Sequence, residues 1–469
     1  LHNFWSACGV MAGFSQGGGV GLTLAEWMIE GEPSRDVFAM DVARFGDWIT
    51  PGYTRAKVRE NYQRRFSVSY PNEELPVARP QQTTPAYGIW KDQRAVFGAA
   101  YGMEAVNYFA PEGEPLEEVP SFRRSNAFDA VGAECRAVRS GVGINEVHNF
   151  GKYLISGSGA RGWLDILMAG RIPKPGRLAL NPMLSPKGKL IGDFTVSCIS
   201  EKEFMATASF HMQANHMRWF QKNLPQNGSV TLENISTKRL GFQIAGPKAR
   251  DLLAKVAFED VSSESFKFLD VKEMDIGTCR ALIQRVSYTG DLGFEIYVNS
   301  EEQRALYYIL REAGEGLGLR PFGMRAMMSL RLEKSFGSWG REFRPDYTPA
   351  ETGIDRFLLY NKSADFIGKA AVLKEKSDGI SRKLCTFIVD ALDADVWGDE
   401  PIWHEGHVVG FVTSGGYAHY VGKSVAYGFM PVELVAEGVE VEIEILGSFR
   451  KACLYTEPLF DSETKRMIG

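Results

Sequence analysis

The chain has 469 residues, a formal net charge of −5, 44% hydrophobic and 24% charged residues, enough for about three domains with sizeable cores. It lacks the basic excess that nucleic acid or an anionic membrane surface would demand, and no run of 18 apolar residues reads as a spanning helix. The cysteines Cys8, Cys135, Cys198, Cys279, Cys385 and Cys453 are scattered without a C-x-x-C pair, which suits reduced thiols in a reducing compartment and no zinc site. His404 and His407 flank Glu405 beside Gly406; a turn between strands accounts for them better than a metal.

Residues 1–51 open with the apolar run Phe4–Phe14, then Ser15-Gln-Gly-Gly-Gly-Val-Gly21, then a helical pattern from Leu22 to Glu30 stopped by Gly31 and Pro33. A glycine cluster that opens a helix lets backbone N–H groups approach an anion at the positive end of the helix dipole. Leu22 stands where G-x-G-x-x-G needs its third glycine, so a plain strand–turn–helix contact competes with that reading. The first residue is Leu, no signal peptide is evident, and the chain reads as beginning inside another domain. Residues 52–120 hold Tyr62–Pro71, an extended Pro76–Pro85 and an aromatic-and-small stretch Tyr87–Tyr108. The acidic, Pro-rich Pro111–Pro120 marks a boundary.

Residues 121–375 contain an internal echo. Lys152-Tyr-Leu-Ile-Ser-Gly-Ser-Gly-Ala-Arg-Gly-Trp-Leu164 matches Gly241-Phe-Gln-Ile-Ala-Gly-Pro-Lys-Ala-Arg-Asp-Leu-Leu253, with Gly157/Gly246, Ala160/Ala249, Arg161/Arg250 and Leu164/Leu253 at one fixed offset. Each copy reads as strand, glycine turn and helix start, so two α+β units joined edge to edge with a cavity between them are expected. Between the copies, Asn181–Val196 reads as a hairpin about the Pro186–Gly188 turn, its second strand interrupted by Asp193 with Thr195 two residues on. A carboxylate in an apolar strand must be hydrogen-bonded, paired or facing a cavity; an edge-strand acid facing water is the bland alternative. A second acid, Glu295, sits in the similar strand of Gln284–Val298, after a Thr-Gly-Asp turn and seven residues beyond Tyr288. His216 begins a helix and reads as structural. Arg331 and Glu333 end another, either as a surface ion pair or against a ligand. Residues 376–469 show strands at Leu384–Val389, His407–Thr413, Ala426–Phe429 and Val439–Ile445, with turns at Gly406, Gly415, Gly416 and Gly447, a small β-rich domain.

The two acid-bearing stretches resemble the glycine-cleavage T-protein (aminomethyltransferase) family, and more closely the folate-binding half of the dimethylglycine and sarcosine dehydrogenases. The resemblance continues through Gly323–Lys334, Trp339, Thr348, Pro349 and Gly353 to Thr413-Ser-Gly-Gly416 and Gly422-Lys-Ser-Val-Ala426. Ala12–Trp27 looks like the last helix of the flavin domain of the same enzymes, making residues 1–51 the C-terminal end of that domain, and residues 52–120 look like their connecting region. The resemblance implies an α+β, multi-domain folate-binding fold with a C-terminal β-rich domain. It implies Asp193 as catalytic carboxylate beside the reactive nitrogens of tetrahydrofolate, and Tyr288, Glu295, Thr195 and Arg331 around the folate. Gly17, Gly18, Gly19 and Gly21 would border FAD once a missing N-terminal segment or a partner chain completes the flavin domain. The implied activity is capture of the methylene group of an oxidised N-methyl amine as 5,10-methylene-tetrahydrofolate, in the cytoplasm or, in a eukaryote, the mitochondrial matrix. Two alternatives stay open: a flavin-free folate-dependent demethylase, and a non-catalytic folate-binding subunit.

Overall fold

The computed structural model describes residues 4–10 and 13–469; Met11 and Ala12, within the apolar run and at the head of the flavin-like string, and Leu1–Asn3 lie outside them. The helix expected from Leu22 begins earlier and spans Gly13–Glu30, with none of its residues buried. This corrects the picture of a glycine loop opening a helix. Gly17, Gly18, Gly19 and Gly21 lie inside the helix, and a Cβ added at any of them would meet nothing within 4 Å among the described residues. The helix's own hydrogen bonds hold these glycines. A second helix, Pro51–Gln63, starts at Thr50, whose hydroxyl accepts from Tyr53 N–H at 3.2 Å, with Pro51 in the first turn, where its missing N–H has no cost.

The sequence echo folds as expected into two α+β units. In the first, strand Phe150–Ser156 leads into helix Ala160–Leu167; in the second, strand Arg239–Ala245 leads into helix Ala249–Val256. Gly157 and Gly246 hold the two turns with φ of +119° and +123°. A Cβ at either would stand 2.3 Å from a backbone oxygen, of Ser229 and Val138 respectively, so only glycine fits. Arg161 and Arg250 also do the same work twice: each donates to a backbone carbonyl, of Pro173 and Val261, and lies over a ring, of Phe204 and Phe294.

Three antiparallel strands follow each helix. Arg177–Leu184, Leu190–Ser200 and Glu203–Ser209 return to Phe150–Ser156, and Thr231–Asn234 closes a five-stranded sheet. Val271–Ile276, Cys279–Gln284 and Gly293–Asn299 return to Arg239–Ala245, and Val142–Glu146 and Leu319–Pro321 close a six-stranded one. The fifth strand is thus exchanged: each unit is completed by a strand from outside its own repeat. The sheets meet at an edge, where Val271 N–H donates to Gly176 O at 2.8 Å and Leu178 N–H to Leu269 O at 2.9 Å. Residues Ala86 to Val106, expected in a connecting region, pack through Trp90 and Ala95 into the core under the six-stranded sheet.

The C-terminal part is a closed barrel of six strands, Arg382–Val389, Pro401–His404, His407–Ala418, Lys423–Pro431, Glu440–Ile445 and Ser448–Tyr455. Gly406 and Gly447 turn the chain as expected, whereas Gly415 and Gly416 lie inside a strand. There Gly415 permits close approach, since a Cβ would meet Val396 O at 2.6 Å. Among the described residues no helix is long and apolar enough to cross a membrane.

Candidate functional site

Strand alternation gives each sheet two faces. On the five-stranded sheet Tyr153, Phe194, Val196 and Ala206 point toward its helices, so Asp193, Thr195, Thr207 and Lys152 point the other way. Thr195 stands opposite Thr207, and Thr207 opposite Lys152. On the six-stranded sheet Ile144, Ile244, Phe294 and Ile283 face the helices, and the row Asn145, Gln243, Glu295, Gln284 faces the other way, each opposite the next. These polar faces confront one another. Leu178 and Met205 from one sheet join Val271, Leu282 and Tyr297 from the other in a shared apolar cluster at their junction.

Buried polar groups normally find hydrogen-bond partners, yet several here have none. Both side-chain polar atoms of Gln284, Oε1 of Gln243 and Oδ1 of Asn149 are buried without a partner among the described residues. Glu295 accepts one hydrogen bond, from Tyr297 at 2.7 Å. Burial pushes its carboxyl up to about 7, opposed by Tyr297 and Lys152. Lys152 is fully buried and donates to Val147 O at 3.3 Å and Phe150 O at 2.7 Å; desolvation brings its ammonium down to about 7.

Asp193 keeps some accessible surface but is enclosed deeply enough that desolvation raises its carboxyl to about 7, with its own backbone N–H as the opposing contact. Its charge reaches Tyr288, whose phenol is pushed up to about 12 chiefly by burial, with Asp193 among the groups that raise it further. The Tyr288 hydroxyl donates to Gly337 O at 2.6 Å and its ring stacks on Phe336 at 6.1 Å, so it offers a ring face and no free hydroxyl.

Arg331 and Glu333 form no surface pair; both are buried, with different partners. Arg331 pairs with Glu342 at 3.0 Å and donates to Phe336 O and Ser414 Oγ, joining its helix, Met324–Glu333, to the barrel. Glu333 takes Arg139 at 2.8 Å. Arg331 therefore holds the Phe336–Tyr288 wall. His216 packs its ring on Phe194 and Phe220 with Nδ1 3.0 Å from Tyr153 Oη, burial lowers it to about 3, and its Nε2 is buried without a partner among the described residues. Lys152, Tyr297, Gln243 and Gln284 belong to the same polar interior and were missed in sequence. Only Tyr297, two residues from Glu295 on one strand face, carried a local signal.

A pterin suits these groups. It presents two adjacent N–H donors to a carboxylate such as Glu295, and ring acceptors and donors to partnerless amides, as buried polar recognition requires. A cavity of about 700 Å³ opens at the barrel between Arg124, Trp403 and Lys451, and no residue of the two sheets lines it.

Comparison with known proteins matches residues 86–362 to the GCVT N-terminal domain, 382–461 to the glycine cleavage T-protein C-terminal barrel domain and 30–84 to the FAD dependent oxidoreductase central domain. Human mitochondrial dimethylglycine dehydrogenase is 38% identical over 99% of this chain, which spans 54% of that protein. The mitochondrial pyruvate dehydrogenase phosphatase regulatory subunit of Mus musculus is 29% identical over 89% of the chain and 49% of its own length. The chain thus spans about half the length of the curated relatives it matches. The crystal structure of the glycine cleavage system aminomethyltransferase T from Bartonella henselae superposes with a TM-score of 0.70 at 23% identity, covering 81% of this chain and 98% of that one, which establishes the fold.

Proposed function

The chain belongs to the glycine-cleavage T-protein family, and from that premise we propose that it performs tetrahydrofolate-dependent one-carbon transfer, taking the methylene group of an N-methyl amine oxidised at an associated flavin domain. The observation that carries the reading is the pair of confronting polar faces, with an acid on each and, among the described residues, a partnerless Gln284 amide and a partnerless Gln243 Oε1 beside Glu295. Tetrahydrofolate would supply the two nitrogens that take up the one-carbon unit as 5,10-methylene-tetrahydrofolate.

The chain's own residues would do the rest. Glu295 accepts the paired pterin N–H groups, and Gln284 and Gln243 complete their hydrogen bonds on the same ring. Tyr288 lies flat as a wall braced by Phe336 and Arg331. Asp193, raised to about 7 by burial, exchanges a proton near neutrality and as a carboxylate stabilises positive charge on a neighbouring nitrogen. General acid–base assistance of this kind is worth about 10²–10⁴-fold. The match of residues 30–84 to a flavin-oxidoreductase central domain favours an oxidised amine as donor over a flavin-free demethylase. A reducing compartment, the cytoplasm or the mitochondrial matrix, fits the mitochondrial relatives and the free cysteines.

The likeness to a phosphatase regulatory subunit supports a second reading, a binding subunit without transfer chemistry, which would keep Glu295 and have no use for Asp193. Gln284→Met tests the shared premise. Removing a buried amide with no partner raises the stability of the ligand-free protein by about 1–3 kcal/mol. Calorimetric affinity for 5-formyltetrahydrofolate then falls about tenfold or more. Unchanged affinity with unchanged stability would take the folate away from this sheet face.

A further inference from the structure

Strand pairing between Cys279–Gln284 and Gly293–Asn299 stops where Gln284 stands opposite Glu295. Residues 285–292 form the loop beyond that pair, and Tyr288 lies on it. Within the loop Thr289 N–H donates to Ser287 Oγ and Asp291 N–H to Thr289 Oγ1, both at 3.3 Å. These contacts are longer than a typical backbone hydrogen bond. A loop held this way presents one fixed face to a ligand only if it is braced from outside, and that preorganisation lowers the cost of binding.

Much of that bracing comes from residues 456–469, which follow the last barrel strand, Ser448–Tyr455, and cross back to the loop with the short helix Lys465–Ile468. They grip both ends of it. At its start Arg285 donates to Met467 O at 3.0 Å and to Ile468 O at 2.9 Å. At its finish Arg466 donates through one nitrogen to Asp291 Oδ2 at 2.8 Å and to Arg139 O at 2.6 Å. Between these points the Arg139 guanidinium lies 3.6 Å from the centre of the Phe460 ring and donates to Thr289 O at 2.9 Å. Asp461 pairs with Lys334 at 3.1 Å, and a Cβ at Gly290 would stand 2.6 Å from the Lys334 stem. Arg285 and Asp291 are both fully buried, where a charge without such partners is costly.

We propose that residues 456–469 are a clasp on the 285–292 loop, and that Arg466 is a positioning residue which, through Asp291, holds Tyr288 and the Gln284–Glu295 pair in place for the folate. The proposal rests on the reading of this sheet face as the folate site, and it adds to that site a segment from beyond the barrel strands.

The test compares the full chain with Arg466→Gln and Arg466→Lys, by hydrogen–deuterium exchange over peptides spanning residues 285–292 and by calorimetric affinity for 5-formyltetrahydrofolate. The Arg466 side chain is 34% exposed and Asp291 keeps Arg139 at 3.4 Å, so Arg466→Gln should fold. Without ligand, exchange across the loop should rise about tenfold in Arg466→Gln and stay unchanged in the helix Ala249–Val256, the mark of a local opening. Folate affinity should fall about three- to tenfold, the cost of ordering one or two loop side chains on binding. Saturating 5-formyltetrahydrofolate should return the loop to the wild-type exchange rate, and Arg466→Lys, which keeps the charge, should recover most of both effects. If Arg466→Gln does not fold, Phe460→Leu loosens the clasp without removing a charge and must show the same pattern. Unchanged exchange in the loop, exchange that rises across the whole six-stranded sheet, or faster loop exchange with unchanged folate affinity would each overturn the proposal. A wild type that binds no folate, with exchange in Arg466→Gln still faster in the loop alone, would uphold the clasp's hold on the loop and defeat the folate reading.

Discussion

Glu295→Gln separates a folate-holding carboxylate from one that is merely buried. The residue is 6% exposed, accepts a single hydrogen bond and has a carboxyl raised to about 7 by burial. Above that pH the free protein already carries the carboxylate that two pterin N–H donors require. Charge-assisted hydrogen bonds are worth about 1.5–3 kcal/mol, so at pH 8 the variant should bind 5-formyltetrahydrofolate about ten- to hundred-fold more weakly. Below the pKa a proton must leave before the ligand binds. At pH 6 this costs about 1.4 kcal/mol, one unit of pKa, so wild-type affinity should drop about tenfold while the glutamine contributes no such dependence. The gap between the two proteins therefore narrows to severalfold. Asp193 titrates in the same window in both proteins, whereas Lys152, lowered to about 7 by burial against the opposing charge of Glu295, falls further in the glutamine variant and is neutral there over more of this range; the difference between the two proteins therefore reads the Glu295 charge together with its effect on Lys152. Calorimetry at pH 6, 7 and 8 with a thermal melt of each protein decides the matter. A folded variant with wild-type affinity at pH 8 would refute the assignment, and a gap that widens toward pH 6 would refute the role of the charge.

Two further substitutions probe the frame around the site. Arg331→Met strands Glu342 as a buried unpaired charge and should cost about 3–5 kcal/mol, read as a lower denaturation midpoint. If Arg331 touched only ligand, the ligand-free protein would keep its midpoint. Gly18→Ala, inside an exposed helix with nothing near its Cβ, should stabilise by about 0.5–1 kcal/mol; destabilisation would restore a close contact at that glycine.

How much was legible in sequence depends on whether the signal was local. The hairpin bearing Asp193 and the strand bearing Glu295 follow from period-2 alternation and glycine turns. The two-unit architecture follows from the echo of Gly157 and Gly246, whose shared left-hand φ is the physical content of the repeat. The partners of Glu295 were not legible, because Gln243 and Gln284 reach it only through cross-strand register, and Lys152 comes from the opposing sheet. For Arg331 and Glu333 the sequence left a surface pair and a ligand contact open, the pair because both lie on one helix; each charge has a more distant partner, Glu342 and Arg139 respectively. The glycines at 17–21 read as a loop on propensity, since glycine weakens a helix interior; the helix incorporates them all the same, and the described residues offer no packing reason for it.

The proposed role of Asp193, moving the proton in one-carbon transfer, is tested most directly by Asp193→Asn in a chain that carries the proposed flavin domain. Asparagine keeps the size and the strand but can neither take up a proton nor stabilise a cation. Flavin reduction by the N-methyl amine and formation of 5,10-methylene-tetrahydrofolate are followed in one sample. Near-normal flavin reduction, retained folate binding and a fall in methylene-tetrahydrofolate formation of about two to four orders of magnitude are expected, with formaldehyde released in its place. Equal loss of both activities, or loss of neither, would contradict that role.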